Sequence, residues 1–129
     1  RMLHLFARLL ETQGDIKKLT KEEKNLARDA KNYMDRMYSR DIRIQDVAGI
    51  LHVHPNYLST LFRREYDQSP REYLRKVRMN QAKLLLATTE YSISDISSDV
   101  GYTNPFQFSK VFKSCYGISP TEYRNMRQV

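Results

Sequence analysis

A chain of 129 residues has room for one domain of ordinary size, and its 40% hydrophobic residues can fill a core of modest volume. The formal net charge of +7 and the pI of about 9.6 indicate an acidic partner, nucleic acid first and an anionic membrane surface second. The single cysteine, Cys115, excludes an internal disulfide and fits a reducing compartment, so we expect a cytoplasmic protein. The sequence shows neither an apolar run of the ~18 residues that span a bilayer nor a secretory signal pattern.

The first residues carry the apolar spacing of a helix. An apolar stripe predicts a helix over residues 1–11, and Met2 already lies inside it. A helix this short is marginal on its own in water, so it must pack on this domain or on a neighbouring domain. We therefore expect a fragment of a longer protein, with residues 1–20 as a helical coupling segment and residues 21–129 as a separate domain.

Residues 21–68 have the pattern of a helix-turn-helix unit. Thr20 and Glu23 form a capping box, which predicts a long first helix. A short helix over residues 44–51 follows, and after a three-residue turn Pro55 opens another helix. The residues expected to face inward on that helix are Leu58, Leu61 and Phe62. Two short helices joined by a tight turn constitute a helix-turn-helix.

A long helix is predicted next, over residues 70–87, because Ser69 and Glu72 form a second capping box. At ~1.5 Å per residue it is ~25 Å long, enough to serve as a spacer. We expect one side of it to be apolar and another basic. The apolar set is Tyr73, Leu74, Val77, Leu84 and Leu85, and the basic set is Arg75, Lys76, Arg78 and Lys83.

Residues 92–127 repeat the first unit. A short helix is predicted over residues 93–100, followed by a turn one residue longer than its counterpart. Asn104 and Pro105 then open the second short helix, and Gly117 ends it in a left-handed conformation. The residues expected to face inward on that helix are Phe108, Val111 and Phe112.

The repeat is visible residue by residue. Residues 55–73 recur 50 positions later as residues 105–123, with Pro, Ser, Phe, Tyr, Ser-Pro and Glu-Tyr in register. No segment shows sustained period-2 alternation. We therefore predict an all-α fold of seven to eight helices, in which a long helix joins two helix-turn-helix units.

The second helix of each unit has a polar outer face, and a helix-turn-helix presents that helix to the major groove of DNA. The polar residues are Asn56, Ser59, Thr60 and Arg63 in one unit and Gln107, Ser109, Lys110 and Lys113 in the other. Asn and Gln suit adenine, Arg and Lys suit guanine, and Phe106 can press on a thymine methyl group. Two such faces on one spacer would meet major-groove segments ~34 Å apart.

The second unit also carries a specific family motif, Ile93-x₂-Ile96-x₄-Gly101-Tyr102-x₃-Phe106-x-Phe108-Ser109-x₂-Phe112-Lys113-x₃-Gly117-x-Ser119-Pro120-x₂-Tyr123-Arg124. It resembles the signature of the C-terminal DNA-binding domain of AraC/XylS-family transcription regulators, and the resemblance covers residues 24–127. It implies a regulator, most often an activator, that binds promoter DNA through two helix-turn-helix units. It further implies RNA polymerase as a partner, no cofactor, and a homodimer formed through a domain outside this chain.

The resemblance and the polar faces together give two sets of expected DNA contacts. The base-facing set is Asn56, Tyr57, Ser59, Thr60, Phe106, Gln107 and Lys110. The phosphate-contacting set is Arg43, Arg63, Arg64, Asn104 and Lys113, which lie at helix starts or further along the helices.

Three positions depart from the family pattern. Ser97 stands where the family usually has Ala, and His54 where a capping Ser is common. Asp67 and Gln68 replace the usual Gly turn after the first recognition helix. We therefore expect that turn to be less regular than the one at Gly117.

Other classes of function fit the sequence less well than DNA binding. An enzyme needs convergent groups, and the sequence offers neither a Gly-rich phosphate loop nor a metal site, because His52-x-His54 has no further ligand at suitable spacing. Membrane-surface binding through residues 1–11 would rest on only three basic side chains. The main alternative is a helical protein-interaction module whose basic surface binds an acidic partner.

Overall fold

The computed structural model describes residues 18–126, and within that range it contains helices and no strand. The predicted all-α class is confirmed. The helix predicted over residues 1–11 lies outside the described residues. The helices are α1 (Lys21–Met37), α2 (Ile44–Ile50), α3 (Pro55–Tyr66), α4 (Pro70–Thr88), α5 (Ile93–Asp99), α6 (Pro105–Tyr116) and α7 (Pro120–Met126). None of these helices is both long and apolar enough to cross a membrane.

The two helix-turn-helix units, α2–α3 and α5–α6, have the same turn with one insertion. Val53 N donates to Ala48 O at 3.0 Å, and Tyr102 N donates to Ser97 O at 2.9 Å, so these residues correspond at an offset of 49. The helices that follow begin at Pro55 and Pro105, an offset of 50. The extra residue lies between Tyr102 and Pro105, which confirms the longer second turn.

Each unit has its own hydrophobic core, and α4 contributes to both. The buried residues of the first core are Ala27, Ala30, Met34, Val47, Ala48, Leu58, Phe62 and Leu74. Those of the second core are Met79, Ala82, Leu86, Ile96, Val100, Phe108 and Phe112. On α4, Met79, Ala82 and Leu86 have the 3-then-4 spacing that Ala27, Ala30 and Met34 have on α1. The second half of α4 therefore packs on the core of the second unit in the way that α1 packs on the core of the first.

The aromatic packing repeats as closely as the sequence does. The ring centroid of Phe62 lies 4.8 Å from that of Tyr66 and 5.7 Å from that of Tyr73. The ring of Phe112 has the same distances to Tyr116 and Tyr123. Tilted and edge-to-face pairs at these separations are favourable, so one phenylalanine organises each core. The predicted inward faces of α3 and α6 are thus confirmed.

The predicted faces of α4 are wrong at two positions. Leu84 was expected on the apolar side, but its side chain is 54% exposed. Arg78 was expected on the basic side, but it is only 9% exposed. The reason is that α4 packs on two cores in succession, so its buried stripe runs from Leu74 through Arg78 and Ala82 to Leu86. Leu84 lies on the opposite side of the helix.

Arg78 joins the two units. Its Nε donates to the carbonyl of Tyr38 at 2.9 Å, and its Nη2 donates to the carbonyl of Arg40 at 2.8 Å. Its guanidinium lies 5.4 Å from the ring centroid of Tyr102. Tyr38 and Arg40 follow α1 of the first unit, whereas Tyr102 belongs to the turn of the second. One buried cation therefore links the backbone of one unit to the turn of the other.

Backbone conformations also correspond between the units, although the residues differ. His52 and Asp67 have φ of 60° and 61°, at the positions that Gly101 and Gly117 occupy with φ of 100° and 82°. The Asp67 N–H donates to Arg63 O at 2.8 Å, much as the Gly117 N–H donates to Lys113 O at 2.7 Å. The expectation of a less regular turn at Asp67 is therefore wrong, because aspartate tolerates the left-handed conformation better than most residues do.

Gly101 and Gly117 both have positive φ, but only Gly101 has close neighbours. Substitution by alanine at the two positions therefore distinguishes the cost of backbone strain from the cost of a steric clash. A Cβ at Gly101 would collide with Tyr38 O and lie 2.9 Å from Arg78 Nε, whereas a Cβ at Gly117 would meet nothing within 4 Å. We expect Gly117→Ala to cost about 1 kcal/mol through backbone strain alone. Gly101→Ala should cost about 3 kcal/mol or more, because the collision adds to the strain. Urea unfolding of both variants tests this, and equal losses would refute the junction described for Gly101.

Three capping boxes predict a pH dependence. Hydrogen bonds from the backbone N–H groups of Thr20, Ser69 and Ser119 lower the pKa of Glu23, Glu72 and Glu122 below 4.5. The stability that these carboxylates contribute is present above pH 4.5 and is lost as the pH falls through their lowered values. We expect the Tm to fall below about pH 4.5 in the native chain. The triple variant E23Q/E72Q/E122Q keeps the acceptor oxygens, and its Tm should depend less on pH in that range.

Candidate nucleic-acid interface

The outer face of α3 is positioned by a cap at its start. His54 Nδ1 accepts a hydrogen bond from Asn56 N at 3.1 Å, so His54 takes the capping role of a serine. Asn56 and Thr60 are exposed, and Ser59 is half-buried. Thr60 Oγ1 donates to Asn56 O at 3.0 Å, which leaves the lone pairs of its hydroxyl to accept hydrogen bonds.

Tyr57 differs from the other residues predicted to face bases on α3. It is 46% exposed, and its hydroxyl donates to Glu23 Oε2 on α1 at 3.4 Å. The ring therefore leans from α3 toward the start of α1. Among the residues of this face, Tyr57 presents an aromatic edge together with a hydroxyl that already has a partner.

The outer face of α6 is more open. Asn104 Oδ1 accepts from Phe106 N at 2.9 Å and from Gln107 N at 3.3 Å, so one cap satisfies two backbone donors. Phe106 follows directly and is 85% exposed, the most exposed of the large hydrophobic side chains in the described residues. Gln107 and Lys110 are also exposed. An uncovered phenyl ring beside an amide and an ammonium group is suited to a partner that is both apolar and polar.

The predicted phosphate contacts lie at the edges of these faces. Arg63 Nη1 lies 4.0 Å from Glu72 Oε1, across the first turn of α4. Lys113 is placed alike in the second unit, where its charge helps to lower the pKa of Glu122 after the larger effect of Ser119. Exposed pairs of this kind are weak, so both cations stay available for an anion.

The other three predicted phosphate contacts occupy different settings. Arg43 is exposed at the start of α2, where its backbone N donates to Asp46 Oδ2 at 2.9 Å. Arg64 is exposed, and its charge contributes to the lowered pKa of Glu23 behind the hydrogen bond from Thr20. The side-chain oxygen of Asn104 is occupied by its cap, which leaves its amide N–H groups as donors.

A cleft of about 870 Å³ opens between the two units. From the predicted contact sets the structure brings Ser59 of α3, Gln107 of α6 and Arg43 together around it. Several predicted contacts of the two recognition helices lie outside its lining, among them Asn56, Tyr57 and Thr60 on α3, and Phe106, Lys110 and Lys113 on α6. Arg63, Arg64 and Asn104 do not line it either.

Two basic residues of this cleft belong to neither predicted set of DNA contacts. Arg71 and Arg75 of α4 line it, next to Leu74 and Arg78 on the same side of the helix. The available signal was the i, i+4 spacing of the two arginines, which places them on one side of α4. The sequence prediction gives α4 a basic side but only the role of a spacer, so it does not connect these two arginines with DNA.

The described residues offer no metal centre. Within residues 18–126, no three His, Cys, Asp or Glu side chains are grouped as a metal site. His54 Nδ1 is engaged in its cap, and Cys115 is exposed.

Two solved structures share the fold of this chain. The C-terminal domain of AraT, a response regulator from Geobacillus stearothermophilus, is 35% identical, with a TM-score of 0.77 over 85% of this chain and 88% of that one. The DNA-binding domain of AdpA, a global transcriptional factor solved in complex with a target DNA, is 21% identical and shares the fold. Its TM-score is 0.73 over 78% of this chain and 90% of that one.

Sequence comparison gives the same family. The lactose operon transcription activator of Staphylococcus xylosus is 40% identical over 96 residues, which are 74% of this chain and 34% of that protein. The chain spans between 34% and 41% of the length of the first curated relatives that it matches. A family model described as a helix-turn-helix domain matches residues 47–126. On these grounds the chain belongs to the AraC family of helix-turn-helix transcription regulators.

Proposed function

We propose that this chain is the DNA-binding part of a transcription activator and binds double-stranded promoter DNA in a sequence-specific manner. The observation that carries the proposal is the pair of recognition helices, α3 and α6, each with an exposed polar outer face. A single continuous helix, α4, packs on the cores of both units. Such a frame suits the placing of two helices in successive major-groove segments on one side of a duplex.

The differences between the two recognition helices support a site with two unlike halves. Asn56, Tyr57 and Thr60 on α3 correspond to Phe106, Gln107 and Lys110 on α6, at an offset of 50. We assign Asn56 and Gln107 to adenine, Lys110 to guanine, and Phe106 to a thymine methyl group. Tyr57, Ser59 and Thr60 complete the base-facing set of α3.

Phosphate contacts would hold this frame on the duplex. We assign that role to Arg43, Arg63, Arg64 and Lys113, and to the side-chain amide of Asn104. These groups surround the base-facing residues without carrying sequence information, so they would set register and affinity. The net charge of +7 is consistent with an encounter accelerated by the charge of DNA.

Activation requires partners beyond DNA. We propose RNA polymerase as the protein partner and a homodimer formed by a region of the protein outside this chain. The support is that matched relatives include a named transcription activator and that the chain spans only about a third of it. A regulator with these partners would act in the cytoplasm at the nucleoid.

The proposal can be tested in two steps. Duplexes that bind the chain are selected from a random-sequence pool, and the selected duplexes are then footprinted with hydroxyl radicals. We expect two protected tracts on one side of the duplex, about 10 base pairs apart. Affinity should fall steeply as salt rises, because counterions are released from phosphates. If no sequence is enriched from the pool, or if salt does not weaken binding, a protein-interaction module with a basic surface would be favoured instead.

The roles of two lysines on α6 can be separated with matched variants. Lys110→Ala should cost about 1–3 kcal/mol on the selected duplex and relax the preference at one base pair. Lys113→Ala should weaken binding to all duplexes alike and reduce the salt dependence by about one phosphate contact. Competition assays with single-base variants of the duplex measure both effects. A uniform loss from Lys110→Ala would make Lys110 a phosphate contact and remove it from the base-facing set.

A further inference from the structure

Two arginines of α4 that line the cleft between the units, Arg71 and Arg75, have no part in the DNA contacts proposed above. Arg71 and Arg75 lie on the side of α4 that is buried at Leu74 and Arg78, yet both are exposed. Both line the open cleft between the units, so their side chains reach solvent there.

The charges that face this cleft are mainly positive. Four arginines line it, Arg43, Arg71, Arg75 and Arg78, against a single acid, Asp41. The guanidinium of Arg78 is taken up by two backbone carbonyls, so Arg71 and Arg75 are the basic groups of α4 that face solvent there. Burial raises the pKa of Tyr102, and the charges of Arg78 and Arg75 act against that rise. Arg75 therefore lies close to the turn of the second unit, where Tyr102 lines the same cleft.

The cleft lies between the two helices that are proposed to contact DNA, α3 and α6. Ser59 of α3 and Gln107 of α6 both line it, one from each recognition helix. Two helices in successive major-groove segments on one side of a duplex straddle one minor groove and the two backbones that border it. The surface between the helices thus faces phosphates, for which an arginine guanidinium is a well-matched donor.

We propose that Arg71 and Arg75 bind the sugar–phosphate backbone of DNA between the two major-groove segments, so that the cleft is a third DNA contact of this chain. The proposal rests on the proposed function of α3 and α6. It makes α4 a part of the DNA-binding surface as well as the spacer between the units. Because the contact is to phosphate, it raises affinity for every sequence.

Salt titration of the full 129-residue chain with a random-sequence duplex tests the proposal. A duplex of about 30 base pairs is long enough for both major-groove segments. The variants are Arg71→Gln, Arg75→Gln and, as a matched control, Lys76→Gln. Lys76 is exposed on the same helix and does not line the cleft. Thermal melting establishes that each variant is folded.

We expect each arginine variant to lower the slope of log K against log salt by about 0.9, the value for one phosphate contact. Between 50 and 200 mM salt, the loss of affinity should then be about 3.5-fold smaller than in the native chain. Lys76→Gln should keep the native slope. Arg75→Lys should retain most of it, since the charge remains.

Other results would overturn the proposal in distinguishable ways. Equal slope changes in Arg75→Gln and Lys76→Gln would mean that only the overall charge matters. A native slope in both arginine variants would remove the third contact and leave the proposed function standing. Weaker binding to poly-glutamate with an unchanged DNA slope would assign the cleft to an acidic protein partner. No DNA binding by the native chain would refute this inference and the proposed function together.

Discussion

The buried guanidinium of Arg78 is the contact on which the arrangement of the two units depends. The units have separate cores, and α4 packs on helices of both. It contacts α1 and α3 of the first unit and α5 and α7 of the second. A shared helix sets the distance between the units, and Arg78 restrains their rotation through Tyr38, Arg40 and the ring of Tyr102. Hydrogen bonds to a charged group contribute about 1.5–3 kcal/mol each, so this junction resists rotation more than a solvated hinge would.

The internal repeat separates the residues that build a unit from those that distinguish it. The aromatic distances around Phe62 and Phe112 agree to a tenth of an ångström, and the capping boxes recur at the same places. By contrast, the outer faces of α3 and α6 share little beyond a serine. The two copies share their packing and differ in their exposed faces, which is expected if the two faces meet different base pairs.

The sequence was sufficient for features that depend on local chemistry or on short periods. Capping boxes, N-terminal prolines and the inward faces of α3 and α6 follow from residues a few positions apart. Leu84 and Arg78 were misplaced because their burial depends on two cores that meet α4 in turn, which no single period describes. Asp67 was misjudged because the tertiary frame holds a left-handed residue there whether or not it is glycine. The cleft was not predicted because it is formed by residues of both units, and its shape depends on how the two units are oriented relative to each other.

Under the proposed function, residues at the starts of α3 and α6 have both a structural and a recognition role, and this limits how specificity can change. His54 and Asn104 cap the helices whose next residues are proposed to meet bases, so altering those caps would disturb folding and recognition at once. Thr60 is tied to the α3 backbone and Tyr57 to α1. Phe106, Gln107 and Lys110 are exposed on α6 and serve neither core. Under the proposed function, α6 is thus the helix whose base preference can change at least cost to the fold.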